Sequence, residues 1–214
     1  MLPHAMKVVS LPSSVALIAV TKTFPVEAII EAYRSGIRHF GENYVEEFAQ
    51  KYANLPQEIK DNATFHMIGH VQSRKVKKVV ELFDWVDSVD SVRLAKKLSQ
   101  EAERQGRSLS VLLEVNLSGE PTKSGFAPEA IPQLIEEIVN LPNLVVSGLM
   151  TMPPMVTDPE ENRAVFRSLK MLSQELRAKY PSIGPQLSMG TSQDYRVAIE
   201  EAATMVRLGR ALTM

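Results

Sequence analysis

Apolar runs rich in β-branched residues alternate with amphipathic segments, and this alternation constrains the fold more than any other feature. The first run, residues 15–21 (VALIAVT), is continuous and apolar, which is typical of a strand buried on both faces. The following segment places Ile29, Ile30 and Tyr33 at helical spacing and ends at Gly36. Seven further strand-like runs follow, separated by helical segments: IRHFGEN, TFHMIG, WVDSV, SVLLEVNL, LVVSGLMT, PQLSMG and TMVRLGR.

Strict alternation over eight units predicts an α/β fold built on a parallel sheet with right-handed crossovers. We expect a single (β/α)8 TIM barrel over residues 1–214, a length that suits one domain. The alternative is a doubly wound open sheet. Such a sheet usually carries a G-x-G-x-x-G turn after its first strand, whereas this chain has TKTFP there.

Composition narrows the classes of function. The formal net charge of −1 gives no reason to expect nucleic acid or an anionic membrane as a partner. The absence of cysteine excludes a disulfide framework, a thiolate metal site and a cysteine nucleophile. No apolar run approaches the length of a membrane span, and the N-terminus lacks a secretory signal, so a cytoplasmic protein is expected.

Lys22 follows the first strand and continues the face of Ile18 and Val20. In a barrel this face lines the interior, and active sites form at the carboxyl ends of the strands. A lysine at an apolar mouth loses hydration, which favours the neutral amine that forms a Schiff base with an aldehyde. Taken alone, however, Lys22 is better explained as a surface lysine in a loop.

A second feature lies at the ends of the last two strands. Residues 188–192 (SMGTS) run into a helix, where small residues let backbone N–H groups close around an anion. Gly209 ends the eighth strand, and barrels frequently bind phosphate between these two loops. The alternative is that Ser192 caps a helix and Gly209 makes a turn. An aldehyde-binding lysine and a phosphate cup together match pyridoxal 5′-phosphate (PLP).

Other polar residues carry weaker signals. His66 and His70 are four residues apart without a clear third ligand, so we expect polar barrel residues and no metal site. The segment QSRKVKKVV is expected to be a basic helix with a solvated face, which could still meet an acidic partner or a phosphate. Alternation within the fifth and eighth strands places Glu114 and Arg207 on inward faces.

Several motifs, taken in order, resemble those of the pyridoxal phosphate homeostasis proteins. AVTKTFP is similar to the family signature AVSKTKP, and six further segments match: HFGENYVEE, FHMIGHVQSRK, VNLSGEPTKSGF, VSGLMTMP, LSMGTSQDY and TMVRLGRAL. The resemblance covers nearly the whole chain from Val15. It implies a barrel of the alanine racemase N-terminal-domain type, PLP bound covalently to Lys22, and a role in vitamin B6 and amino-acid homeostasis.

The resemblance also implies roles for individual residues. Asn43 would lie beside the cofactor ring, and Arg207 would approach the pyridine nitrogen. Thr191 stands where the family usually has Met, which matters little if the backbone makes the contact, and Gln193 replaces a small or acidic residue. The phosphate would be held by four residues: Ser188, Gly190, Ser192 and Gly209.

The two ends of the chain depart from the family pattern. The helix that usually precedes the first strand is expected to be short or missing. The chain also stops at residues 211–214 (ALTM), where the family continues with a Phe-Gly pair. Because of these two differences, the sequence does not decide whether the barrel closes.

An arginine beside the pyridine nitrogen weakens PLP as an electron sink, because arginine has no acceptor and keeps its proton. Racemisation also needs a second base, which alanine racemase-like enzymes supply as a tyrosine from a second domain. This chain has no room for that domain, and only Tyr44 and Tyr195 follow strand ends closely. We therefore expect a monomeric PLP carrier without catalytic residues, with PLP-accepting apoenzymes as candidate partners. The alternatives are a PLP-dependent amino-acid racemase and a class I aldolase-like lyase.

Overall fold

The computed structural model describes residues 9–120 and 124–209, and it contains a closed barrel of eight parallel strands. Each strand pairs with its neighbour in sequence, and the eighth strand pairs with the first. The predicted α/β barrel is therefore confirmed, and the open-sheet alternative is wrong. The strands are β1 (Ala16–Val20), β2 (His39–Glu42), β3 (Thr64–Met67), β4 (Trp85–Val89), β5 (Leu109–Glu114), β6 (Leu144–Met150), β7 (Gln186–Thr191) and β8 (Met205–Leu208).

Every crossover between consecutive strands contains at least one helix. Short 3₁₀ turns, Ser73–Lys75 and Pro159–Asn162, lead into two of these helices. None of the helices in the described ranges is long and apolar enough to cross a membrane. The helices are α1 (Val26–Arg34), α2 (Val45–Asn54), α3 (Gln57–Asn62), α4 (Val76–Leu82), α5 (Val92–Arg104), α6 (Ile131–Val139), α7 (Arg163–Lys179) and α8 (Tyr195–Glu200).

Three expectations depend on residues outside the described ranges. They are the extent of the single domain over residues 1–214, the short or missing N-terminal helix, and the ending at residues 211–214. Residues 1–8, 121–123 and 210–214 are not described. These expectations therefore stay predictions.

The main hydrophobic core lies between the outward face of the barrel and the surrounding helices. Phe48 of α2 is fully buried, and its ring lies 4.9 Å from Phe65 of β3 and 4.7 Å from Phe83 (centroid distances). A smaller apolar cluster fills the barrel interior, formed by Ile18, Leu112, Met150 and Met205. Alternation along each strand separates these two cores, since successive side chains point to opposite faces.

Polar side chains share the barrel interior with the small apolar cluster. His66 Nδ1 lies 3.0 Å from Asp87 Oδ1, and its Nε2 lies 3.0 Å from His39 Nδ1. Burial, reinforced by His66, lowers the pKa of His39 to about 4, so this ring is neutral near pH 7. His70 is exposed and instead pairs with Asp90. No group of three potential ligands in the described part of the chain could hold a metal ion.

Two helices differ from the sequence-based expectation. The short helix α3 was not expected; it begins after Pro56, a residue well suited to a helix start. After the fifth strand the sequence predicts a helix from Ala127 to Asn140, whereas helix α6 begins at Ile131. A bridge between Val115 and Phe126 keeps the chain extended, and residues 128–130 form a turn before the helix.

The backbone at Gly148 on β6 generates a stability prediction. Its φ is +151°, and a Cβ there would lie 2.0 Å from the carbonyl oxygen of Gln186 on β7. Gly148→Ala should therefore destabilise the protein by about 3 kcal/mol or more. The control is Gly106→Ala, where φ is +64° but nothing lies within 4 Å, so only about 1–2 kcal/mol is expected. Urea unfolding of both variants gives the comparison, and equal losses would contradict the packing argument.

Candidate functional site

A cavity of about 210 Å³ opens at the carboxyl ends of the strands. It contains six of the eight residues that the sequence suggested for cofactor binding; Ser188 and Gly190 do not line it. The order of the strands explains this grouping, since β7, β8, β1 and β2 are consecutive around the barrel. The lining residues are Val20, Lys22, Asn43, Ile68, Met152, Thr191, Ser192, Arg207 and Gly209.

Lys22 lies in the loop after β1, and its side chain is exposed at the cavity. The sequence suggested that an apolar mouth would strip water from this amine, whereas the structure places Lys22 among the exposed residues. The loop carries Lys22 beyond the last interior residues of the strand, so the amine keeps its contact with solvent.

Asn43 follows β2 and contributes a buried polar atom to the site. Its Oδ1 has no hydrogen-bond partner among the described residues. Glycine at position 69 allows the segment after β3 to pack closely against the backbone of Asn43, since a Cβ there would lie 2.4 Å from the Asn43 carbonyl oxygen. An unsatisfied buried polar atom costs about 1–3 kcal/mol. Because Asn43 lines the cavity, a ligand with a hydrogen-bonding group would remove this cost.

Arg207 on β8 is a buried cation that faces the cavity. Its Nη1 donates to Ser188 Oγ at 2.6 Å, and its Nη2 donates to the Thr151 carbonyl at 2.9 Å and to Met152 Sδ at 2.8 Å. Burial lowers the pKa of Arg207, while more distant carboxylates raise it. None of the described carboxylates forms an ion pair with Arg207. The guanidinium is thus held by neutral acceptors beside the cavity.

Ser188 and Gly190 lie behind the cavity wall, where the structure gives them supporting contacts. Ser188 is fully buried and accepts the hydrogen bond from Arg207. Gly190 has a φ of +92°, and a Cβ there would lie 2.6 Å from Ala198 Cβ. Glycine therefore permits close packing of β7 against α8. The resemblance implies that both residues hold the phosphate; neither lines the cavity, and this role stays a prediction.

The loops after β7 and β8 form the small-residue side of the cavity. Thr191 is fixed by Asp194, whose Oδ1 accepts from its N–H at 2.7 Å and from its hydroxyl at 3.1 Å. The Gly209 N–H donates to Ser192 Oγ at 3.3 Å. Gly209 lacks a positive φ, and a Cβ would lie 3.5 Å from Val20, so neither conformation nor packing requires glycine there. A side chain at this position would occupy the cavity, which indicates space kept for a ligand.

Sequence reasoning did not identify three of the residues that line this cavity, and it did not identify a second cavity beside it. Val20, Ile68 and Met152 supply apolar walls that the sequence did not assign to the site. A second cavity of about 280 Å³ shares Met152 and includes Glu114. Burial, reinforced by Asp90, raises the pKa of the Glu114 carboxyl, while Arg207 opposes the shift.

Comparison with known proteins agrees with this geometry. The family described as alanine racemase, N-terminal domain, matches residues 4–214. The pyridoxal phosphate homeostasis protein of Vibrio alginolyticus is 45% identical over 202 residues, covering 94% of this chain and 86% of that protein. The protein of the same name from Escherichia coli is 36% identical over 201 residues, with coverages of 94% and 86%.

Solved structures show the same relationship. PipY of Synechococcus elongatus with PLP bound has a TM-score of 0.87 and 39% identity, covering 96% of this chain and 95% of PipY. An alanine racemase of Clostridium difficile has a TM-score of 0.80 at 17% identity, covering 94% of this chain and 53% of the racemase, which shows a shared fold. The family match and the 36–45% identities over more than nine-tenths of the sequence show that the chain belongs to the alanine racemase N-terminal domain family, among the pyridoxal phosphate homeostasis proteins.

Proposed function

We propose that the chain binds PLP, holds it as a Schiff base on Lys22, and acts in PLP and amino-acid homeostasis as a non-catalytic carrier. The observation that carries the proposal is one cavity joining three groups: the exposed Lys22 amine, the unpartnered Asn43 oxygen and the buried Arg207 cation. The names of the curated relatives and the PLP bound to PipY support the same cofactor.

The residues around the cavity fit the functional groups of PLP. Condensation of the Lys22 amine with the aldehyde forms one C=N bond and releases one water. The Asn43 Oδ1 would accept a hydrogen bond from a donor on the cofactor, such as the ring hydroxyl, which would satisfy this buried oxygen. Arg207 would face the pyridine nitrogen. The phosphate would lie against the loops that carry Thr191, Ser192 and Gly209.

The proposal of a carrier depends on what Arg207 can and cannot do. When bound, PLP supplies an electron sink that is strongest with a protonated ring nitrogen. Arg207 can only donate hydrogen bonds, and neutral acceptors already hold its guanidinium in place. It therefore stabilises an unprotonated ring nitrogen. This arrangement binds the ring and gives little assistance to carbanion chemistry.

A second base at the cavity is the other requirement for racemisation. Tyr44 lies on the surface with 56% of its area exposed, and neither it nor Tyr195 lines the cavity. The lining residues in the described ranges include no tyrosine or histidine. We extend the proposal to a cytoplasmic monomer that passes PLP to apoenzymes; the name of the curated relatives, pyridoxal phosphate homeostasis protein, supports a role in supplying the cofactor.

Replacing Lys22 tests the proposed anchor. In Lys22→Ala the covalent bond cannot form, so the visible imine absorbance of the PLP-loaded protein should disappear. Affinity for PLP should fall at least about tenfold, or about 1.4 kcal/mol. Lys77→Ala, which removes an exposed lysine from α4, is the control and should keep both properties. Undiminished imine absorbance in Lys22→Ala would show that another amine holds the cofactor.

Enantiomer conversion separates the carrier from the racemase alternative. The PLP-loaded protein is incubated with single L-amino acids, and the D-enantiomer is quantified by chiral chromatography. Conversion should not exceed that of free PLP at the same concentration, because no tyrosine or histidine of the described residues lines the cavity to act as a second base. Turnover well above free PLP would reject the carrier and favour the racemase.

A further inference from the structure

Lys51 is a charged side chain buried behind the Lys22 loop. It lies on α2, which faces the barrel, and only 8% of its side chain is exposed. Its Nζ donates to the Thr21 carbonyl at 2.8 Å and to Glu42 Oε1 at 2.9 Å, and it lies 2.7 Å from Glu47 Oε1. The ammonium has three donors, and these three acceptors account for all of them. Lys51 does not line the cavity, so it is not a second anchor for PLP.

These contacts reach the backbone on both sides of Lys22. Thr21, directly before it, is held at its carbonyl by Lys51. The Thr21 hydroxyl also donates to Glu42 Oε1 at 2.8 Å. Thr23, directly after Lys22, donates its N–H to Glu47 Oε1 at 2.6 Å. One ion-pair network therefore fixes both neighbours of the anchor lysine.

The backbone of this segment explains why such support is needed. The Phe24 N–H donates to the Thr21 carbonyl at 3.1 Å, which closes a turn with Lys22 and Thr23 at its centre. Thr23 has a φ of +65°, the conformation that glycine normally adopts at the second central position of a type II turn. A β-branched residue persists there only where its surroundings hold it. The charge-assisted bond from Thr23 to Glu47 supplies that restraint.

The network places the positive charge of Lys51 between the side chains of Glu42 and Glu47. Glu42 is fully buried; burial raises the pKa of its carboxyl, and the hydrogen bond and charge of Lys51 lower it. Glu47 is held as a carboxylate by Lys51 and by the Thr23 N–H, and both lower its pKa against the opposing effect of burial. A cation between two carboxylates keeps both acceptors in place, which an uncharged residue at position 51 would not do.

We propose that Lys51 and Glu47 are positioning residues: they hold the turn in the conformation that directs Lys22 to the cavity. The inference rests on the proposed function of Lys22, and it concerns how the chain prepares that amine. Without the network, Thr23 would relax toward negative φ and the Lys22 side chain would sample other directions. The imine would then form less completely, although the barrel itself would remain folded.

Substitution of Glu47 tests this proposal with the whole chain and PLP. Glu47 is partly exposed, and its hydrogen bond and ion pair in the described part of the chain go to Thr23 and Lys51, so Glu47→Ala should fold. Glu46→Ala is the matched control, because Glu46 is an acid in the same first turn of α2 that pairs instead with Lys75. The Kd for PLP is measured by titration of the apoprotein through the visible imine absorbance. Glu47→Ala should raise this Kd about tenfold, and Glu46→Ala should leave it unchanged.

Two further variants separate positioning from general stability. Glu47→Gln keeps an oxygen that accepts from the Thr23 N–H, so it should restore most of the affinity. Lys51→Met is combined with Glu42→Gln, which avoids leaving an unpaired buried carboxylate, and should raise the Kd in the same direction. Urea unfolding of the apoproteins should show one cooperative transition for Glu47→Ala and for the Glu46→Ala control, so that a raised Kd does not reflect an unfolded fraction.

The possible outcomes are distinct. A wild-type protein without an imine on Lys22 would reject the proposed function, and this inference would fall with it. A wild-type imine, together with an unchanged Kd in Glu47→Ala, would overturn the positioning role alone. Equal weakening by Glu46→Ala, or no rescue by Glu47→Gln, would overturn it as well. If the Lys51 double variant fails to fold, the Glu47 series decides the question.

Discussion

The register between the first and last strands is the constraint on which the site depends. Ile18 of β1 pairs with Arg207 of β8, so the two strands that carry the anchor lysine and the cation lie side by side. Lys22 and Gly209 then emerge from neighbouring strand ends into one cavity. A slip of one residue in either strand would turn its set of side chains to the opposite face. Closure of the barrel therefore creates the cavity proposed to bind the cofactor as well as the core.

Two buried cations serve this site in opposite ways. Arg207 lies inside the barrel with neutral acceptors, so its charge remains available to a ligand in the cavity. Lys51 lies outside the barrel wall between Glu42 and Glu47, so its charge is paired within the protein. The first arrangement favours an electron-rich ring and a phosphate. The second holds the backbone beside Lys22.

The sequence revealed the features that follow from strand periodicity. Eight apolar runs gave the barrel, and alternation placed Lys22 and Arg207 at its mouth. The direct environments of side chains were harder to predict: Lys22 is exposed because its loop extends past the apolar interior. Ser188 is fully buried and accepts a hydrogen bond from Arg207. Alternation along β7 predicts which way its side chain points, but it does not predict how far the residue lies below the cavity. The sequence did not indicate a role for Lys51, since a charged residue on an amphipathic helix usually faces solvent.

The central claim is that Lys22 forms the covalent bond to PLP. Borohydride reduction of the PLP-loaded protein converts the C=N bond into a stable secondary amine, and proteolysis with mass spectrometry then locates the label. The account predicts a single pyridoxyl group on the peptide that contains Lys22. A label on any other lysine, or none after loading with PLP, would contradict it.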